Sequence, residues 1–128
     1  MRILIALSDR DLLTGYAALL TSDGEEVATA FDGAQAAAKL QEGGYDLAIL
    51  DAELSRIGSK QVLRLLNETG VPSVMLLKGR PEDLPASEEQ KANAYLAFPF
   101  FPDELRGTIA SVLRSHDPRV GGQEGDSK

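Results

Sequence analysis

The residues best placed for chemistry follow the apolar runs of the sequence. Asp51 is the clearest of them, because it directly follows the apolar run Tyr45–Leu50. If that run is a buried strand, its terminal carboxylate lies at the carboxyl edge of a sheet, where open α/β sheets carry their sites. A turn or helix cap is the alternative role for this carboxylate. The other side chains that follow such runs are Leu7, Ser8, Asp9, Glu53, Leu77, Lys78, Phe98 and Pro99.

Residue types exclude several kinds of catalytic site. The chain has no cysteine, which excludes disulfides, thiolate zinc sites and a cysteine nucleophile. The single histidine, His116, lies near the C-terminal end, so a Ser-His-Asp triad or a histidine base has no suitable member. The stretch 7–11 after the first apolar run has no glycine, which disfavours a nucleotide-binding phosphate loop. We therefore do not expect an enzyme.

The elements that position Asp51 follow from alternating patterns. Continuous aliphatic and β-branched runs predict strands buried on both faces, as in a parallel sheet. The predicted strands are Ile3–Leu7, 25–30, Tyr45–Leu50, 71–77 and 94–98. Apolar residues recur at helical spacing between them, which predicts helices between Ser8 and Gly24 and at 33–44, 59–70 and 101–115. We expect Ser8 to cap the first helix. The result is an open parallel sheet covered by helices on both faces.

Length and charge limit the remaining possibilities. The 128 residues fit one domain at 1–115, followed by a flexible tail or linker start at 116–128, where apolar residues are scarce. Pro81 and Pro85 predict a loop and one short helix before the fifth strand. The net charge of −7 disfavours direct nucleic-acid or anionic-membrane binding. The apolar runs are too short for a membrane span, and the chain starts without a secretory signal pattern, so we expect a cytoplasmic location.

The stretch from Met1 to about Ser115 resembles a response-regulator receiver domain. The resemblance rests on the segments "ILIALSD" at 3–9, "FDG" at 31–33, "YDLAILDAEL" at 45–54 and "YLAFPFFPDEL" at 95–105. It implies an α/β, flavodoxin-like doubly wound five-stranded parallel sheet. It also implies a role in bacterial two-component signalling. In that family a partner histidine kinase phosphorylates an aspartate at the end of the third strand, and Asp51 matches this aspartate.

The chain departs from the family at the other site positions. The family holds magnesium with an acidic pair after the first strand, and here that pair reads Leu7 and Ser8. A Thr or Ser ends the family's fourth strand, where this chain has Leu77, and a Lys precedes a proline after the fifth, where it has Phe98. Phosphoryl transfer to a carboxylate requires cationic neutralisation. The pattern therefore predicts a degenerate receiver that acts as a protein-interaction module, without a cofactor and without conventional control by aspartyl phosphorylation.

Three expectations concern the neighbours of this site. Lys78 could pair with Asp51 and supply a built-in countercharge, with a solvated surface lysine as the alternative. Tyr95 matches the family's switch aromatic, and we expect a single rotamer because Leu77 replaces the switch hydroxyl. We also expect a cis peptide bond between Phe98 and Pro99.

Two other functions stay open. The first is a working phosphoacceptor at Asp51, with Asp9, Asp51 and Glu53 as weak candidates for magnesium ligands. The second is a small-ligand binder that uses the crevice between Leu7, Asp51, Leu77 and Phe98. The expected protein partner is a histidine kinase or another signalling protein, and a homodimer is left open.

Overall fold

Five strands form one parallel sheet in the computed structural model, which describes residues 1–54, 58–77, 92–97 and 100–116. The strands are β1 (Arg2–Ala6), β2 (Glu26–Ala30), β3 (Leu47–Asp51), β4 (Ser73–Leu77) and β5 (Ala94–Ala97). Their spatial order is β2-β1-β3-β4-β5, and every neighbouring pair is parallel. This is the strand order of flavodoxin-like folds, so the predicted fold class is confirmed.

Four helices in the described part of the chain cover both faces of the sheet. They are α1 (Arg10–Ser22), α2 (Gly33–Glu42), α3 (Ser59–Thr69) and α4 (Pro102–His116). Buried residues of α1 and α4 share one apolar cluster with one side of the sheet, and those of α2 and α3 share the other. The predicted strands and helices in this part are present, with ends that differ by a residue or two.

The core explains why the strands read as continuous apolar runs. Ile5 and Ile49 pack in the cluster under α1 and α4, while Leu4 and Leu50 pack under α2 and α3. All four are fully buried, and β3 is buried along its whole length. A parallel strand with helices on both sides has no solvent face, so polar residues are confined to its ends.

Local features fix where two of the helices lie. The helix predicted at 59–70 stops at Gly70, whose φ of +78° lies in the left-handed region that favours glycine. α4 is tied to the end of α1 by Arg106, whose Nε and Nη2 donate to the two carboxylate oxygens of Asp23 at 2.8 and 3.1 Å. Hydrogen bonds to Asp23 and then Asp103 raise the pKa of Arg106.

Some predictions fall outside the described residues. The expected loop and short helix around Pro81 and Pro85 belong to 78–91, and the expected tail belongs to 117–128. α4 ends at His116, one residue after the predicted end of the domain. No helix in the described ranges is long and apolar enough to cross a membrane.

Candidate functional site

The candidate site lies where the strand order changes direction. The chain leaves β1 for β2 on one side and then returns to place β3 on the other side of β1. Such a switch point opens a crevice at the carboxyl ends of the two strands. Ala6 pairs with Leu50 in this register, so the residues that follow β1 meet the end of β3.

Asp51 closes β3 at this crevice and is buried, with an exposed fraction of only 2%. Its Oδ2 accepts two hydrogen bonds from Ser8, one from the hydroxyl at 2.7 Å and one from the backbone N–H at 3.2 Å. Its Oδ1 accepts from the backbone N–H of Glu53 at 2.9 Å. The carboxylate therefore lies at the predicted edge and also forms the turn-type bond that was the alternative role.

Ser8 does not cap α1, so that prediction was wrong. The cap is Asp9, whose Oδ1 accepts from the backbone N–H groups of Asp11 and Leu12 at 3.0 and 3.2 Å. The Ser8 hydroxyl is instead directed to Asp51, where it satisfies part of a buried carboxylate. The buried Asp51 carboxylate needs donors, and the Ser8 hydroxyl supplies one. The backbone N–H groups at the start of α1 need an acceptor instead, and the Asp9 carboxylate provides it.

Leu7 and Leu77 line the strand ends with hydrocarbon. Leu7 is 1% exposed and packs in the cluster beneath α1 and α4. Leu77 is 3% exposed and packs beneath α2 and α3. Both side chains extend the core, as their types predict.

The carboxylates near the edge do not form a ligand cluster. Asp9 and Glu53 are exposed, while Asp51 is buried. Within the described ranges, no three Asp, Glu, His or Cys side chains lie together so that they could hold a metal ion. Hard cations such as Mg²⁺ need several oxygen ligands in one place.

The remaining predicted site residues are Lys78, Phe98, Pro99 and Tyr95. Lys78, Phe98 and Pro99 lie outside the described residues, so the proposed ion pair and the cis bond stay predictions. Tyr95 lies on the edge strand β5 with an exposed fraction of 38%, and its hydroxyl accepts from the backbone N–H of Ala92 at 3.2 Å. Its single rotamer also stays a prediction.

The structure contains two aromatic contacts that the sequence patterns do not predict. The Arg10 guanidinium lies 4.0 Å from the centroid of the Phe31 ring, which joins the start of α1 to the end of β2. Tyr16 stacks on Phe100 at 5.4 Å, and burial raises the pKa of the Tyr16 hydroxyl. Phe101 is 76% exposed. Helical spacing marks Tyr16 as core-facing, but nothing in the sequence pairs it with a specific partner.

Comparison with known proteins decides the family. Residues 3–110 match the family described as the response regulator receiver domain. The chain belongs to the response-regulator receiver family. This receiver domain is 34% identical over 118 residues to the DNA-binding response regulator MtrA of Mycobacterium leprae, covering 91% of this chain and 52% of MtrA. The chain thus spans about half the length of the curated relatives that it matches.

Solved receiver structures agree with the fold. The chemotaxis response regulator CheY4 of Vibrio cholerae has a TM-score of 0.79 at 25% identity, over 87% of this chain and 97% of that one. The response regulator TrrA of Thermotoga maritima, solved in complex with Mg²⁺-BeF, has a TM-score of 0.76 at 26% identity, again over 87% and 97%. Receiver domains are signalling modules, and this chain is a receiver domain of the two-component type.

Proposed function

We propose that this receiver domain is an atypical member of its family that works as a protein-interaction module, in a state that aspartyl phosphorylation does not set. The observation that carries the proposal is the burial and hydrogen bonding of Asp51. Its side chain is 2% exposed, and both of its oxygens already accept hydrogen bonds from the protein. A phosphodonor must reach one of these oxygens to react with it.

The residues around Asp51 do not fit magnesium. Family members use an acidic pair after the first strand, but Leu7 offers only hydrocarbon and the Ser8 hydroxyl donates to Asp51. Phosphoryl transfer concentrates negative charge on the transferred oxygens, and a cation normally neutralises it. TrrA was solved with Mg²⁺-BeF. For this chain we propose that the corresponding complex does not form.

The missing switch hydroxyl supports the same proposal. In the family a Thr or Ser at the end of the fourth strand reports phosphorylation through a hydrogen bond. Leu77 occupies this position, with an exposed fraction of 3%, and has no group that can bond to a phosphoryl oxygen. Even a phosphorylated Asp51 would therefore lack this route to the output surface.

The partner that we propose is another signalling protein, such as a histidine kinase, in the cytoplasm. The chain's net charge of −7 favours a protein surface over nucleic acid as the direct contact. The family's output surface includes the fifth strand, and here β5 presents Tyr95 with 38% of its surface exposed. A homodimer through β5 and α4 is an alternative arrangement of the same face.

Intact mass measurement with a small phosphodonor tests the proposal. The protein is incubated with acetyl phosphate, with and without Mg²⁺, beside TrrA as a receiver that was solved with a magnesium complex. We expect the phosphoryl mass increment on TrrA only. A Mg²⁺-dependent increment on this chain that disappears in Asp51→Asn would overturn the proposal and establish a working phosphoacceptor.

Thermal shift with nucleotides and metabolites addresses the ligand-binding alternative. A ligand that binds only the native state raises its melting temperature. We expect no shift that depends on the predicted crevice between Leu7, Asp51, Leu77 and Phe98. A saturable shift that Leu77→Ala abolishes would favour the small-ligand function.

A further inference from the structure

We infer that Ser8 decides whether this site responds to divalent cations, because it acts as an internal ligand that occupies the Asp51 oxygen a cation would need. The inference rests on the proposed function and adds the residue responsible. Ser8 lies two residues after the end of β1 and contacts the end of β3, so its bonds to Asp51 also join these two neighbouring strands.

The geometry shows how little of the Asp51 carboxylate is left for a cation. A carboxylate has about four lone-pair directions. Ser8 takes two of them on Oδ2, with the hydroxyl at 2.7 Å and the N–H at 3.2 Å, and the Glu53 N–H takes one on Oδ1 at 2.9 Å. Mg²⁺ keeps several water molecules when it binds proteins, and Asp51 is only 2% exposed while the Ser8 hydroxyl is bonded to it.

The chemical difference between serine and aspartate at position 8 sets the response. A serine hydroxyl donates to the carboxylate and stabilises its charge without adding another. An aspartate at the same position would place a second carboxylate beside Asp51, where two like charges destabilise each other. A divalent cation would relieve that repulsion. Ser8→Asp therefore replaces a hydrogen-bonded pair that needs no cation with a pair of carboxylates whose stability depends on one.

The test compares Ser8→Asp with the wild type and with Ser8→Asn. Asparagine is neutral and has nearly the same shape as aspartate. Melting temperature is measured with and without MgCl₂. In parallel, Mn²⁺ is titrated while the backbone amide NMR signals of Ala52 and Glu53 are followed, since a bound paramagnetic ion broadens nearby signals. We expect Ser8→Asp to melt several degrees below the wild type without metal, to recover most of that loss with Mg²⁺, and to show Mn²⁺ broadening at both amides. The wild type and Ser8→Asn should show neither stabilisation by Mg²⁺ nor Mn²⁺ broadening.

The outcomes separate this inference from the proposed function. If Ser8→Asp and the wild type are both insensitive to the ions, the inference is overturned and the proposed function stands. If the wild type itself gains stability with Mg²⁺ and shows the broadening, the proposed function is contradicted. Broadening of Ser8→Asn equal to that of Ser8→Asp would mean that Mn²⁺ binds elsewhere on the acidic surface, which also overturns the inference.

A second pair of variants tests the hydroxyl even if Ser8→Asp does not fold. Ser8→Ala removes the donor, whereas Ser8→Thr keeps a hydroxyl on the same atom. A hydrogen bond to a charged group contributes enough that its loss should lower the melting temperature by roughly 5–10 °C. Ser8→Thr should recover most of this loss. An unchanged melting temperature in Ser8→Ala would show that the hydroxyl does not hold Asp51.

Discussion

The Asp51 carboxylate has a structural role that follows directly from its contacts. It accepts from donors on both sides, with Ser8 at the end of the β1 segment and Glu53 in the turn after β3. The three donors are the Ser8 hydroxyl, the Ser8 N–H and the Glu53 N–H, so all three bonds form only when both oxygens of residue 51 can accept. Substitutions at this position therefore act on stability as well as on any signalling role.

Asp51→Asn is expected to lower the free energy of unfolding by about 1–3 kcal/mol. The amide has one oxygen and one NH₂ group, so in either orientation a donor faces the N–H of Ser8 or of Glu53. Urea unfolding of the variant and the wild type measures the difference. Asp9→Asn is a control, because Asp9 is exposed and asparagine caps helices about as well as aspartate. Equal stability of Asp51→Asn and the wild type would contradict the structural role.

At Tyr45, in contrast, we expect a substitution to raise the stability of the protein. The centroid of the Tyr45 ring lies 4.5 Å from the guanidinium carbon of Arg2, but its buried hydroxyl has no hydrogen-bond partner among the residues that the structure describes. Burying an unpaired hydroxyl costs about 1–3 kcal/mol. Tyr45→Phe keeps the ring and should therefore raise the free energy of unfolding by about 1 kcal/mol, as measured by urea unfolding. Tyr45→Leu, which also loses the cation–π contact, should not show this gain, and a less stable Tyr45→Phe would contradict the prediction.

At the level of single residues, burial was easier to predict than pairing. Asp51 at the end of an apolar strand, and Leu7 and Leu77 in the core, follow from residue type and from the sheet rule. The bond from Ser8 to Asp51 joins residues 43 positions apart, and it depends on a register that no local pattern contains. Without knowledge of that contact, the sequence does not show that Asp9 rather than Ser8 caps the helix.

The first helix shows how an element begins once its cap is known. Asp9 has an extended backbone conformation and accepts from the N–H groups of Asp11 and Leu12. This frees Ser8 to contact β3, so the two neighbouring polar residues divide the capping and the site contact between them. The start of α1 is thereby fixed to the sheet edge.

Asp9→Ala should lower the free energy of unfolding by about 1 kcal/mol, because two N–H groups at the start of α1 lose their acceptor. Asp9→Ser should lose much less, since serine is a comparable cap. Chemical denaturation of the three proteins checks this order. A loss in Asp9→Ser as large as in Asp9→Ala would show that Asp9 acts through something other than capping.

The contact between α1 and the segment before α4 predicts a limit at alkaline pH. Burial raises the pKa of the Tyr16 hydroxyl above its ordinary value of 10.0. Just above that value the unfolded chain loses this proton while the folded protein keeps it, so stability falls as pH rises. Tyr16→Phe should reduce the slope of stability between pH 9 and about 11, as measured by urea unfolding at each pH. Equal slopes in the two proteins would show that Tyr16 titrates alike in the folded and unfolded states.

The elements themselves could be predicted almost completely in the described ranges. β3 and β4 are buried on both faces, and this burial produces the uninterrupted apolar runs from which they were predicted. Gly70 ends α3 as expected. The contact of Tyr16 with Phe100 could not be predicted, because it depends on how α1 lies against a segment distant in sequence.

For the whole molecule, net charge bears on which kind of partner this chain contacts directly. MtrA is named a DNA-binding regulator, and this chain covers 91% of its own length but 52% of MtrA. Receiver similarity alone therefore gives no reason to expect DNA binding here. A net charge of −7 opposes it, because sequence-independent affinity for DNA depends on neutralising phosphates with Lys and Arg.

The 128-residue chain should accordingly show no binding to a labelled DNA duplex, even at about 50 mM salt, where electrostatic affinity is strong. Fluorescence anisotropy measures this directly, with full-length MtrA as the positive control. The salt series carries the argument, since a protein that releases counterions from DNA loses affinity steeply as salt increases. Anisotropy that rises at low salt and falls with added salt would reveal a basic contact surface within the acidic whole, and would contradict the prediction that this receiver contacts proteins rather than nucleic acid.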